Sequence, residues 1–366
     1  MATTGPLAAS RQYLADTARA YSALFFLDSP AAGALLMAST FAYPNIGASG
    51  LLAALVGLAT TRLFRFPDAR TSVFVLNSLL VGLSLGAFYQ LGPHLAVLVV
   101  LGAMLAVIAS AALADMFWRH ERLPVLVIPF LLVAAITALV ARQLSDLSPF
   151  IGYSEFTIGW LPYWANEFLS LLGATFFTIH PVAGAAVLAV IAWRSRYLAL
   201  LAVAATVVGL GMFLLLEVRH QPLLISWAGF NMVLTAIAIG GIYTVPGPLS
   251  FLTAMLAAAL TALLLIACQN LLFVHGLPLI ALPYIGVTLL FLIALRTRLS
   301  VAPRGWRHRR ACRNRTTSAP GSPGSATATS TACRCCCPSS GGGKSTRALT
   351  ASTRTSRRGT MPSTST

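Results

Sequence analysis

Two octapeptides with paired prolines are the segments of this 366-residue chain whose residue types and spacing could do chemistry. They run from Leu123 to Phe130 and, 154 residues later, from Leu277 to Tyr284, and in each the second proline follows the first by five residues. Proline lacks a backbone N–H and clashes with the carbonyl one turn upstream, so it leaves carbonyl groups without a helical donor. In apolar sequence such groups must face protein or an aqueous path. The octapeptides therefore predict two rows of carbonyl acceptors at membrane depth; the alternative is a pair of kinked helices without a transport role.

The two halves of the chain resemble each other beyond the octapeptides. The spacing of 154 residues also maps Asn77 onto Asn231, while Pro30 to Ala34 matches Pro181 to Ala185 at a spacing of 151 residues. An Asn side chain at lipid depth must find hydrogen-bonding partners. We therefore predict that each Asn caps or ties a broken helix, and direct contact with a solute is the alternative.

The composition, with 57% hydrophobic and 9% charged residues, is that of a membrane protein. Ten apolar runs, five in each half, are long enough to predict membrane-spanning or re-entrant helices. They cover residues 20–43, 47–61, 72–91, 94–114, 123–141, 171–193, 197–216, 223–243, 248–272 and 277–295. Five crossings per half would turn the second half over in the membrane, so the pattern predicts inverted repeats with the transport path between them.

The formal charge of +16 comes mainly from the C-terminal tail. Of the 25 basic residues, 14 lie at or after Arg296, whereas the first 295 residues carry 11 basic and 9 acidic groups. The charge therefore gives no reason to expect a nucleic-acid partner. Residues 302–366 contain no acidic residue and almost no large aliphatic one, so they cannot bury a core. They are interpreted either as a disordered arm or as an out-of-frame reading of the gene.

Arginine placement predicts the orientation of the chain. With a cytoplasmic N-terminus, Arg142 and Arg219 fall outside, and the other arginines of the body, with Arg296 and Arg298, fall inside. Both ends are then cytoplasmic. Residues 145–166 lie outside and are rich in aromatic side chains, which predicts either an interfacial segment at the lipid headgroups or an ordered extracellular loop.

Charged residues lie at the ends of the apolar runs rather than in their centres. An ion-coupled carrier needs ionisable groups inside the membrane, so the pattern favours passive conduction of a neutral solute. No cofactor, metal site or catalytic constellation is predicted. His94, His180 and His275 lie at run ends, as interfacial residues or pore-mouth candidates, and Gly33 and Gly184 are predicted to allow close helix approach.

The octapeptide pair, the sequences around Asn77 and Asn231 and the fivefold halves together resemble the urea transporter family, over roughly residues 18–298. The resemblance implies an all-α polytopic membrane protein with two inverted five-helix repeats, re-entrant pore helices and a central pore between the halves. It also implies a homotrimer in the lipid bilayer of a bacterial inner membrane. The implied activity is passive passage of urea, or of a similar small neutral solute, along a slot with a ladder of carbonyl oxygens.

The resemblance also implies roles for individual residues. Phe26 and Phe177 would be outer-mouth aromatics, and the slot walls would be Leu76 with Leu80 and Phe230 with Leu234. Val127 and Ala281 stand where the family has threonines, Ala23 and Ala174 where it has a Gln and a Glu, and Leu76 where it has a Phe. The full predicted path is Phe26, Leu76, Asn77, Leu80, Leu123, Pro124, Val127, Pro129, Phe177, Phe230, Asn231, Leu234, Leu277, Pro278, Ala281 and Pro283.

The predicted organisation has five parts: an N-terminal segment, two membrane repeats, the connection between them and the basic tail. Their bounds are 1–19, 20–142, 143–170, 171–298 and 299–366. The alternative functions are a channel for ammonia or another small amide, a transport-inactive membrane anchor and an ion-coupled carrier.

For the tail, the out-of-frame hypothesis predicts that the reading frame of the source gene breaks near codon 300. Resequencing the coding DNA across that codon tests it, because a frame that runs intact through residue 366 would leave the disordered arm as the explanation.

Overall fold

The computed structural model describes residues 6–120, 123–153, 156–217, 228–275 and 281–301. In these ranges the chain forms helices joined by turns, with an isolated antiparallel bridge between Tyr89 and Pro149. The predicted all-α class is confirmed. Leu277 and Pro278 of the predicted path lie outside the described residues, and so does the tail from residue 302.

The helices of the described ranges are numbered here in chain order. They are α1 (Pro6–Ala23), α2 (Pro30–Thr40), α3 (Pro44–Leu63), α4 (Asp68–Phe88), α5 (Pro93–His120), α6 (Ile128–Ala141), α7 (Tyr163–Gly173), α8 (Pro181–Arg194), α9 (Arg196–Leu215), α10 (Phe230–Ile237), α11 (Pro248–His275) and α12 (Leu282–Val301). A 3-10 turn, Ala174–Phe176, follows α7, and a π-helical turn, Ala238–Ile242, continues α10.

Proline and capping residues explain where many helices begin. Proline is the first residue of α1, α2, α3, α5, α8 and α11, a position where its missing N–H costs no helical bond. The Ser29 hydroxyl accepts a bond from the Ala32 N–H at the start of α2, and Ser195 does the same for Leu198 in α9. These caps satisfy backbone donors that a helix cannot satisfy itself.

Five helices of the described residues are long and apolar enough to cross a membrane. Their spanning parts are Pro44–Leu63, Arg70–Phe88, Pro93–Phe117, Arg196–Leu215 and Pro248–Cys268. A sixth crossing is obtained if Tyr163–Phe176 and Pro181–Arg194, which meet at a bend of 78°, are counted as one broken span. Four further apolar helices are shorter, namely Pro30–Thr40, Ile128–Ala141, Phe230–Ile242 and Leu282–Arg296.

Some of the ten apolar runs contain a break in the structure, and their re-entrant geometry stays a prediction. The run at 20–43 holds the end of α1, a turn and the 11-residue α2, which is only about 16 Å long at 1.5 Å per residue. The run at 171–193 bends after Phe176, and the run at 123–141 becomes helical only at Ile128. Hydropathy adds up apolar residues through a turn as readily as through a helix, so it does not register these breaks.

Small residues bring α3 and α4 together in the most extensive helix contact of the described chain. A Cβ atom at Gly57 would lie 2.8 Å from the Ser78 side chain, and one at Gly86 would lie 2.7 Å from that of Ser49. Because lipid provides little hydrophobic drive for helix association, close backbone approach of this kind is a main source of packing energy in a membrane. Large aliphatic side chains point outward instead, as at Leu101, which is 60% exposed.

The two halves meet where corresponding segments face each other. Helix α2 packs against α8, and the ring of Phe25 stands edge-on to that of Phe176 at 6.1 Å between centroids. Phe25 and Phe176 are separated by 151 residues, the spacing that relates Pro30 to Pro181. The contact between halves is thus built from residues that match each other in the sequence.

The predicted role of Gly33 and Gly184 is confirmed. A Cβ atom at Gly33 would overlap the carbonyl of Ala18, and one at Gly184 would overlap the carbonyl of Leu169. Each glycine therefore holds the first helix of its half against the second, with backbone touching backbone. No side chain, not even a methyl group, fits either contact.

We expect Gly33→Ala and Gly184→Ala each to destabilise the folded protein by about 1–3 kcal/mol or more, because the added methyl group overpacks a rigid backbone contact. Thermal unfolding in detergent measures this as a lowered midpoint. Gly211→Ala is the matched control: Gly211 lies in α9 with open space around its Cβ position, and Ala is the better helix former. An unchanged midpoint for both Gly33→Ala and Gly184→Ala would contradict the packing argument.

Candidate functional site

The first octapeptide is non-helical up to the point where α6 begins. Leu126 has a left-handed backbone (φ 51°), and α6 starts at Ile128 with Pro129 as its second residue. The N–H of Ile128 donates to the carbonyl of Val125 (3.2 Å), and the N–H of Leu131 donates to that of Val127 (3.0 Å). Two carbonyls of the octapeptide are therefore occupied by the turn itself.

Asn77 takes the next backbone donor of this turn. Its Oδ1 accepts a hydrogen bond from the Phe130 N–H at 3.1 Å, while its Nδ2 donates to the Val73 carbonyl at 3.0 Å. In a regular helix the Phe130 N–H would donate four residues back, to Leu126. The fully buried Asn77 thus takes the N–H that a regular helix would offer to the Leu126 carbonyl.

Asn231 makes the corresponding bonds in the second half. Its Oδ1 accepts from the Tyr284 N–H at 3.2 Å, and its Nδ2 donates to the Ala228 carbonyl at 2.7 Å. In both halves the asparagine and the captured N–H are 53 residues apart, and both asparagines are fully buried. The predicted cap role is confirmed for both side chains.

The predicted slot residues flank the two asparagines. Leu76 and Leu80 lie one turn apart on α4, and Phe230 and Leu234 lie one turn apart on α10; each is 3–5% exposed. They belong to one continuous buried cluster that also holds Val127 and Ala281. Leu123, Pro129 and Pro283 are buried as well, and Pro124 is half-buried. The structure thus places Leu76, Leu80, Phe230, Leu234, Val127 and Ala281 in one buried cluster, and their role in a path stays a prediction.

Phe26 and Phe177 share an unusual backbone conformation. Both are left-handed, with φ 57° and 59°, and the N–H of each donates to the carbonyl three residues earlier at 2.9 Å. The Phe26 ring stands edge-on to Tyr243 at 5.7 Å, and the Phe177 ring stands edge-on to Phe130 at 6.1 Å. Each phenylalanine therefore ends a helix of its own half and touches an aromatic ring of the other half.

Phe177 lies near the N-terminus of α3. The hydroxyl of Tyr153 donates to the Phe177 carbonyl at 3.3 Å, and the Tyr153 ring packs on Tyr43, the residue before α3, at 5.1 Å. Tyr43 in turn donates its hydroxyl proton to the Ile179 carbonyl at 3.2 Å.

Phe26 lies at the opposite end of α3. Asp28, two residues after Phe26, lies 3.5 Å from Arg19, and Asp16 joins Arg19 to Arg62 in the last turn of α3. Because α3 has 20 residues, its ends are about 30 Å apart. Phe177 and Phe26 are thus associated with opposite ends of α3, and their role at an outer mouth stays a prediction.

Sequence reasoning missed three aromatic contacts of the path. The Tyr243 ring contacts Phe26, and the Phe130 ring contacts Phe177. Tyr153, in the connection between the halves, donates its hydroxyl proton to the Phe177 carbonyl. Tyr243 lies 154 residues after Tyr89, the spacing that relates the octapeptides, and Phe130 ends an octapeptide. Tyr153 has no counterpart in the repeat, so no sequence signal led to it.

The histidines and the aromatic connection serve mainly structural roles where they are described. His180 caps α8, its Nδ1 accepting from the Val182 N–H at 3.2 Å, and its ring stacks on Phe156. His94 is exposed, 4.0 Å from Asp146, and the His275 side chain lies outside the described residues. In the connection, Phe150 and Tyr153 pack against the helices, whereas Trp160, Tyr163 and Trp164 are exposed; their place at the headgroups stays a prediction.

Comparison with known proteins identifies a matching family. A family model described as "Urea transporter" matches residues 14–296. The match covers both halves and every element that carries the predicted path.

Replacing Asn77 or Asn231 by Leu should destabilise the protein by about 1–3 kcal/mol, because it leaves a buried backbone N–H without an acceptor. We expect faster amide hydrogen exchange at the start of α6 for Asn77→Leu and at the start of α12 for Asn231→Leu. Gln143→Leu, at an exposed position after α6, is the control. Unchanged exchange at both helix starts would mean that the asparagines do not hold them.

Proposed function

The chain belongs to the urea transporter family, and we propose that it is a channel through which urea crosses the membrane passively, along a narrow path between its two halves. The chain is embedded in the membrane as a multi-pass helical protein. The observation that carries the proposal is the pair of buried asparagines, each holding the start of a helix and flanked on its own helix by two buried apolar side chains.

The chemistry of this arrangement suits a flat neutral amide. A carbonyl such as that of Leu126 accepts a hydrogen bond from an amide N–H, while Leu and Phe side chains contact the two faces of the solute. Carbonyl groups that replace hydration without binding tightly permit both entry and exit. The side chains of the path thus set its shape, and the backbone supplies the hydrogen bonds.

The distribution of charge supports passive conduction. In the five long apolar helices of the described chain, charged residues such as Arg62, Arg70, Asp115 and Arg196 lie in terminal turns. A proton- or sodium-coupled carrier would need such a group near the membrane centre. The proposed channel therefore works down the urea gradient.

We further propose that the halves are inverted repeats with re-entrant pore helices. The matched roles of Asn77 and Asn231, and the positions of Phe26 and Phe177 at opposite ends of α3, support this arrangement. The arginine pattern supports cytoplasmic termini, and the domain bounds given by the sequence belong to the same proposal. A homotrimer in a bacterial inner membrane is the assembly that the resemblance implies.

A second candidate solute is another small amide or ammonia. Val127 and Ala281 place apolar side chains in the buried cluster of the octapeptides, so solutes less polar than urea lose less hydration energy there. The solutes can be ranked by their flux into the same proteoliposomes, measured for urea, acetamide, ammonia and glycerol. Urea flux no faster than in empty liposomes, with the other solutes equally slow, would leave the transport-inactive anchor.

Leu80→Trp tests the position of the path. We expect it to lower urea flux into proteoliposomes by at least about tenfold, because a bulkier ring at a well-packed site closes a narrow gap or displaces its neighbours. Leu101→Trp is the matched control, since Leu101 lies on the outer surface of α5.

Stopped-flow light scattering at equal protein density compares the two variants with the wild type. A Leu80→Trp channel that conducts urea at the wild-type rate would place the path elsewhere. A flux that requires a proton or sodium gradient would contradict passive conduction.

A further inference from the structure

The turn that carries Phe26 is closed by the side chain of Ser22. The Ser22 hydroxyl oxygen lies 3.0 Å from the carbonyl oxygens of both Arg19 and Leu27, which share its single proton, and it accepts from the Ser29 N–H at 3.4 Å. The Leu27 N–H also donates to the Ser22 carbonyl at 3.1 Å. The left-handed Phe26 thus lies within a small loop, residues 22–29, that is tied end to end.

An ionic network anchors this loop to the bundle. One carboxylate oxygen of Asp16 lies 2.8 Å from Nη1 of Arg19, and the other lies 2.9 Å from Nη2 of Arg62. Arg19 also reaches Asp28 with its Nε, at 3.5 Å. Asp28 follows Phe26 by two residues, so the network runs from α3 through Asp16 and Arg19 to the loop that holds the ring.

Asp16 is the centre of the network because it is the acid that is shielded from water. Its side chain is 18% exposed, whereas that of Asp28 is 86% exposed. A shielded carboxylate with two guanidinium partners makes strong, directional bonds. The pair of Arg19 with the exposed Asp28 is weak by comparison, so the firmer link from Arg19 to the loop is its carbonyl, which lies 3.0 Å from the Ser22 hydroxyl. The guanidinium of Arg62 is fixed further by the Tyr13 ring, 3.4 Å below it.

The network also borders a cleft of about 530 Å³, whose lining includes Arg65, Thr71 and Ser72. Aqueous ions therefore reach its outer members, and at about 0.1 M salt charges in water are screened within about 10 Å. A loop held in this way responds to the salt concentration on its own side of the membrane.

The corresponding phenylalanine is held by neutral groups instead. Phe177 receives its bond from the Tyr153 hydroxyl, and Ile179, which stands 151 residues after Asp28, receives one from Tyr43. Burial raises the pKa of Tyr153 well above its usual value, so this hydroxyl remains a donor across the neutral range. Ser170 stands where the repeat would place an arginine. Phe26 and Phe177 therefore share a left-handed backbone conformation, but different groups stabilise it.

We propose that Asp16 is a positioning residue for conduction: acting through Arg19, it holds the Phe26 loop in place, and it makes the mouth at the Phe26 end, and not the mouth at the Phe177 end, sensitive to ionic strength. This inference rests on the proposed function. It adds a residue outside the predicted path and an asymmetry between the two ends of the channel.

Asp16→Asn, Asp16→Glu and Asp115→Asn test the inference in the full chain. Asp115 forms an exposed i,i+4 pair with Arg119 in α5 and controls for the loss of a carboxylate. We expect Asp16→Asn to speed amide exchange in residues 22–29 by about tenfold, the effect of losing one charge-assisted bond, and to lower urea flux at least threefold. Asp16→Glu should keep the exchange rate of residues 22–29 and the urea flux close to their wild-type values, and Asp115→Asn should match the wild type in both measurements.

Wild-type proteoliposomes of defined orientation provide a measurement that needs no variant. Replacing a neutral osmolyte by isosmotic KCl on the Phe26 side should reduce urea flux, and the same exchange on the Phe177 side should leave it unchanged. An equal response on both sides would overturn the inference, as would an unchanged exchange rate of residues 22–29 in Asp16→Asn.

The outcomes separate this inference from the proposed function. A wild type that conducts no urea overturns the proposed channel and, with it, the role of Asp16 in conduction. Wild-type conduction with an Asp16→Asn variant that folds, exchanges and conducts normally overturns the positioning role alone.

Discussion

The structure depends on one constraint: a helix that starts in buried, apolar surroundings must find acceptors for its first backbone N–H groups without water. Asn77 and Asn231 meet that constraint for α6 and α12 by accepting the N–H groups of Phe130 and Tyr284. The same bond that makes the helix start tolerable also withholds a donor from the carbonyl of the turn before it. Stability of the fold and availability of a carbonyl for a solute therefore have the same physical origin.

Helices too short to cross a membrane must be joined by tight backbone turns, and two such turns lie at Phe26 and Phe177. A left-handed bulky residue costs on the order of 1–3 kcal/mol and persists only where its surroundings require it. Around Phe26 and Phe177 they do, since Gly33 and Gly184 press the following helix onto the preceding one and local bonds close each turn. The turns direct each aromatic ring toward the opposite half, so the path is assembled from both halves at once.

The halves match in backbone and differ in side chains. Leu76 and Phe230 occupy corresponding positions with similar burial, which makes one slot aliphatic and the other aromatic. Ionic groups hold one phenylalanine, whereas tyrosine hydroxyls hold the other. In the proposed channel, urea moves down its gradient in either direction. The two ends can still respond to different conditions, because salt screens exposed charges and leaves buried neutral bonds unaffected.

Sequence by itself determined the helical class, the family, the cap role of the asparagines and the close contacts at Gly33 and Gly184. Each of these follows from a residue type that has few physical solutions in an apolar setting: an amide must be bonded, and a glycine permits backbone contact. Tertiary structure alone decided where the apolar runs break, that Phe26 and Phe177 contact rings of the opposite half, and that the Asp16 network and the Tyr153 hydroxyl lie beside their turns. Those outcomes depend on backbone reversals and on partners far away in the chain, and neither hydropathy nor residue spacing carries that information.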